Sequence, residues 1–152
     1  MRRTDRVSRW GPASQALLDH PNALPYTVEL LGPKVRFDHD YCIFMQKGGK
    51  AGRLHGGQTM QGGVPGDHWY KYHDGMIRNG LTVFTYCLTH ADSGDGGFGC
   101  IPGSHNSNFT VDIPAEVRCH ERSAHYVCQV AVKAGDLTVS YTHLRAHETN
   151  SN

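Results

Sequence analysis

From residue 35 onward the apolar positions fall in short runs divided by Gly, Pro and Asp: 35–37, 41–46, 81–89, 98–101, 127–132 and 137–139. Each run is rich in β-branched or aromatic residues and is too short for a stable helix, so each predicts a strand. The longest, Leu81-Thr-Val-Phe-Thr-Tyr-Cys-Leu-Thr89, is apolar on both alternating faces, the pattern of a central strand held between two packed layers. Before these runs, residues 12–19 read as a short helix, with Pro12 near its start and Pro21 beyond its end. Residues 1–10 are basic and are expected to be loose. Residues 47–70 are Gly-rich and lack periodicity, which suits a segment that lines or covers a site. In a second insertion, 106–126, Pro114 is placed to open one or two helical turns. Several short strands with Gly-rich turns predict an all-β domain: a sandwich, barrel or jelly roll.

The chain's 152 residues suit one domain with a single core. Hydrophobic residues make up 38% and charged residues 19%, which excludes both a disordered chain and a membrane protein. Fifteen Lys and Arg against fourteen Asp and Glu leave +1, and Arg2, Arg3, Arg6 and Arg9 crowd the N-terminus, so a general nucleic-acid binder is not indicated. No run approaches the roughly 20 apolar residues of a membrane span, and no secretory leader is evident; the default location is cytoplasmic. The cysteines (Cys42, Cys87, Cys100, Cys119 and Cys128) are odd in number, form no C-x-x-C pair and read as buried free thiols. Eleven histidines supply ample material for metal chemistry, and fifteen of the eighteen glycines lie between Gly48 and Gly103.

Three segments carry candidate chemistry. In Gly52-Arg-Leu-His55-Gly-Gly57 a lone imidazole precedes two glycines, as a metal ligand at a barrel rim would, although on this motif alone a hydrogen-bonded loop histidine is the better reading. Gly94-Asp-Gly-Gly-Phe-Gly-Cys-Ile-Pro-Gly-Ser-His105 reads as a tight turn, a short strand and a second turn. Ala134-Gly-Asp136 reads as a turn into the last β run.

In order and wording these segments, with Asp74-Gly-Met-Ile-Arg-Asn-Gly-Leu81, resemble the phytanoyl-CoA dioxygenase family of Fe(II)- and 2-oxoglutarate-dependent oxygenases. The block from Gly96 to Phe109 is the most specific part. Gly11-Pro-Ala, Leu31-Gly-Pro and Asp38-His-Asp-Tyr-Cys-Ile-Phe-Met45 look like one bacterial branch, so the resemblance spans residues 11–139 as one domain. It implies a double-stranded β-helix, or jelly roll, holding one ferrous ion through two histidines and a carboxylate, with 2-oxoglutarate as co-substrate and a small or lipid-like organic substrate.

Carried over residue by residue, His55 matches the first metal histidine. The family's Asp two residues later is replaced by Gly57, so a halide or water fills that position, or a carboxylate such as Asp74 replaces it, or the site is not an oxygenase site. Asp67, His68 and His73 widen the choice. The distal histidine falls at Ala146 or His147 without gaps, or with a shift at His143; His147 is taken as the ligand. Residues 140–152 depart from the family pattern and look like a translated sequencing-adapter tail. On that reading the jelly roll lacks its closing strands and the anion-binding arginine, has an open sheet edge and is inactive as written. The alternative is a jelly-roll binding module without iron chemistry. A zinc hydrolase is disfavoured, because neither H-E-x-x-H nor a Cys pair occurs.

Overall fold

The computed structural model describes residues 2–46, 49, 52–55, 60–61, 64–65, 70–106, 112–141 and 145–149. It divides into two compact units, residues 1–46 and 47–152.

In the first unit, β1 (Arg2–Asp5) pairs antiparallel with β2 (Tyr41–Phe44), Arg2 opposite Phe44 and Asp5 opposite Tyr41. The basic run read from the sequence as loose lies in this ladder. What orders this basic run is the aromatic partner strand: the Arg2 guanidinium lies 4.7 Å from the centre of the Phe44 ring, and that of Arg3 lies 3.9 Å from that of Tyr41. Arg3 also bonds the Asp5 carboxylate at 2.7 Å. Helix α1 (Pro12–Gln15) starts at the predicted proline but stops after one turn. A second helix, α2 (Leu24–Leu31), was not anticipated; it carries Pro25 in its first turn, where no N–H is needed, and ends at Gly32, whose φ of 83° suits glycine. Residues 35–37 form no strand, because this short run follows Gly32-Pro33 and has no ladder partner.

In the second unit every ladder among the described residues is antiparallel. β3 (Met60–Gln61) pairs with β4 (Val64–Pro65), and β5 (Tyr70–His73) with β6 (Met76–Asn79). The second pair turns at Asp74-Gly75, with φ of 52° and 75°, the two positive angles that make Asp-Gly a favoured hairpin turn. β7 (Thr82–Tyr86) pairs with β10 (Leu137–Tyr141). β8 (Gly96–Cys100) lies between β9 (Cys128–Val130) and β11 (Arg145–Thr149). The predicted runs at 41–46, 81–89, 98–101, 127–132 and 137–139 thus become β2, β7, β8, β9 and β10. The predicted central strand, β7, is half-buried along its whole length. β10 runs on to Tyr141, and β11 lies along an edge of β8.

Helix α3 (Ala115–Arg118) follows Pro114 as predicted. Its Val117 joins Leu54 and Ile113 in a buried cluster, packed over by Ile101, Ala124, Tyr126 and Val127. No helix among the described residues is long and apolar enough to cross a membrane.

Candidate functional site

His55 is placed by the residue before it. Leu54 is fully buried against Ile113 and Val117, and its N–H donates to the Arg118 carbonyl at 2.9 Å, so side chain and backbone both fasten it to α3. Two residues earlier, the Gly52 carbonyl accepts a hydrogen bond from His120 Nε2 at 2.9 Å. His120 sits just past α3 with a φ of 60°, unusual for a residue with a side chain, and so turns its ring onto this segment. Between these anchors and the glycines that follow, His55 is exposed.

The bond to Arg53 places a proton on its ring. His55 Nδ1 lies 2.7 Å from the Arg53 carbonyl oxygen, and a carbonyl only accepts, so Nδ1 carries a proton in this bond. A backbone carbonyl fixes metal-ligating histidines in the same way.

The Gly96 to Phe109 block meets this segment through Ile101, which packs against the Leu54 cluster directly after β8. Ser104 then closes a turn, its hydroxyl donating to the Ile101 carbonyl at 2.6 Å. Upstream, the Gln129 amide clamps the 92–96 turn: Oε1 accepts from Gly94 N–H at 2.8 Å, and Nε2 donates to the Asp92 carbonyl at 3.0 Å and to that of Gly96. On the other edge of β8, His147 pairs in register with Phe98. The structure therefore ties the segments of both proposed metal histidines to one strand, the first through Ile101 at its end and the second through the ladder.

The other candidates are placed as follows. Asp74 stands at the β5–β6 turn, largely exposed, and its carboxylate pairs with His73 Nδ1 at 3.0 Å. Asp67, His68 and His143, along with Gly57 itself, lie outside the described residues. Ala134-Gly135-Asp136 is a turn: the Asp136 carboxylate accepts from Lys133 N–H at 2.7 Å, and its backbone carbonyl accepts from Cys87 N–H at 2.8 Å. Burial, with the nearby Asp136 charge, pushes the Cys87 thiol up from its ordinary value. Among the described residues no three His, Cys, Asp or Glu side chains gather into a group able to hold a metal ion.

No family model matches the chain, and no curated protein does. Solved structures do. Apo HygX from Streptomyces hygroscopicus superposes at a TM-score of 0.75 and 20% identity, covering 99% of this chain and 66% of that one. HygX with nickel and 2-oxoglutarate bound gives 0.73 at 20% identity, over 98% of this chain and 63% of that one. HygX with nickel, 2-oxoglutarate and hygromycin B bound gives 0.70 at 20% identity, over 98% and 63%. The chain has the fold of HygX. It spans somewhat under two thirds to 66% of the length of these HygX chains. HygX is a double-stranded β-helix, and the short antiparallel pairs and few helices seen here accord with the all-β expectation.

Proposed function

We propose that the chain belongs to an Fe(II)- and 2-oxoglutarate-dependent dioxygenase of the phytanoyl-CoA dioxygenase type, with a cytoplasmic location, a small or lipid-like organic substrate, and His55 and His147 as iron ligands. The observation that carries this reading is the attachment of both histidine segments to β8, in a chain whose fold is shared with HygX, which has been solved with iron and with nickel and 2-oxoglutarate.

When bound, iron and 2-oxoglutarate supply the oxidation of a substrate C–H bond by O₂, with decarboxylation of the 2-oxoglutarate. The residues of this chain position and exclude. The Arg53 carbonyl holds the His55 ring through Nδ1, which leaves Nε2 as the nitrogen that would face a metal, and Leu54 fixes the backbone beneath it. Gly57 provides no donor, so water, a halide or a carboxylate such as Asp74, which pairs with His73, would complete the site. Most of the Gly-rich stretch 47–70, read from the sequence as bordering a site, lies outside the described residues.

A second reading, a jelly-roll binding module without iron chemistry, draws on Gly57 and on the absence of a three-donor group among the described residues. Anaerobic titration with Fe(II) and 2-oxoglutarate separates the two. A visible charge-transfer band that His55→Ala removes, with the fold unchanged by circular dichroism, is the expected result. No band, with folding undiminished in chelator, supports the binding module instead.

A further inference from the structure

Cys100 ends β8 and Cys128 begins β9, and the ladder sets them directly opposite each other. Directly opposed residues of an antiparallel pair share a face, with Cα atoms about 4.5 or 5.5 Å apart. Both values fall within the roughly 4.4–6.8 Å that a disulfide spans. Both thiols are free, Cys128 exposed and Cys100 half-buried.

We infer that Cys100 and Cys128 form a reversible cross-strand disulfide on exposure to hydrogen peroxide. The exposed Cys128 thiol gives up its proton and its sulfur attacks the peroxide; the O–O bond breaks, Cys128 becomes a sulfenic acid, and the departing hydroxide takes up that proton and leaves as one water. The Cys100 sulfur then attacks Cys128, the S–O bond breaks, and the departing hydroxide leaves as a second water with the Cys100 proton. Two thiols and one peroxide thus give one disulfide and two waters, a two-electron oxidation that a dithiol reverses. Burial and the neighbouring Cys128 push the Cys100 thiol up, which suits it to the second role rather than the first. Opposed Cβ atoms in a ladder stand about 4.5–5.5 Å apart, whereas a disulfide prefers about 3.5–4.5 Å, so the bond draws the strands together and is readily reduced. It closes the excursion 101–127, which carries α3 and the residues that hold Leu54.

The test treats the metal-free full chain with stoichiometric hydrogen peroxide, then alkylates it and maps its peptides. The expected result is a chain lighter by two hydrogens, loss of two of its five thiols, one cross-linked peptide joining Cys100 to Cys128, and full recovery in dithiothreitol. In Cys100→Ser, dimedone should trap a sulfenic acid at Cys128. The inference is overturned by a disulfide between any other pair, or by peroxide consumption that leaves both residues as thiols or takes either to sulfinic acid. The wild-type map alone decides this, so a variant that fails to fold does not obscure the answer.

Discussion

Leu54 does for its neighbour what the neighbour cannot do for itself. His55 is exposed and is followed by glycines, so its position depends on the buried side chain before it and on the bond from Leu54 N–H to Arg118. Leu54→Ala is expected to cost about 2–5 kcal/mol, the range for emptying a fully buried leucine site, read as a shift in the urea midpoint. A change under about 0.5 kcal/mol, the range of an ordinary surface substitution, would show that Leu54 is not the anchor. The role of Leu54 was legible only through its neighbour: the sequence shows a leucine beside a candidate ligand, but its partners Ile113 and Val117 lie some sixty residues on and no local pattern announces them. The bond from His120 to Gly52 was hidden for the same reason, since His120 stands in a polar stretch that reads as solvated.

Among the elements, β8 bears the most and has the least ordinary composition for a strand. Gly96 and Gly97 have φ of 87° and 110°, and a Cβ on Gly97 would meet that of Ala91 at 3.4 Å. Gly97→Ala is therefore expected to destabilise by about 1–3 kcal/mol through backbone strain, visible as a lowered thermal midpoint. An unchanged midpoint would mean that β8 relaxes without loss. The strands found from sequence, β2, β7, β8, β9 and β10, were legible because β-branched and aromatic residues cluster in them between turn residues. Those missed have different physics. β1 is a run of charges ordered by the aromatic rings of β2, and β11 is Arg-Ala-His-Glu-Thr, a composition that carries no β signal until β8 offers it a partner. Helix α2 was masked by Pro25 and by the neighbouring prolines, although Pro25 occupies the turn where a helix tolerates it. The facing of Cys100 and Cys128 is a matter of register, which spacing along the chain does not encode.

At the scale of the whole molecule, the role of β11 decides how the resemblance is to be understood. Residues beyond 139 depart from the family pattern, yet Arg145–Thr149 lies against β8 as its ladder partner and carries His147 opposite Phe98. Ending the chain after Tyr141 leaves that edge of β8 without its ladder partner, and uncovered edges pair with other chains. Light scattering is expected to show association of the shortened chain at concentrations where the full chain stays monodisperse. Equal behaviour of the two would mean that β11 contributes nothing to the sheet. The HygX fold supplies the frame, and in this chain His55 and His147 supply the proposed ligands.

A crystal structure of the full chain grown with nickel and 2-oxoglutarate measures that directly. The expected density places one metal ion about 2.1 Å from His55 Nε2 and at a similar distance from the His147 imidazole, with Arg53 still accepting from His55 Nδ1. A metal bound elsewhere, or none in a well-ordered jelly roll with His55 turned away, would contradict the reading of these residues as an iron site.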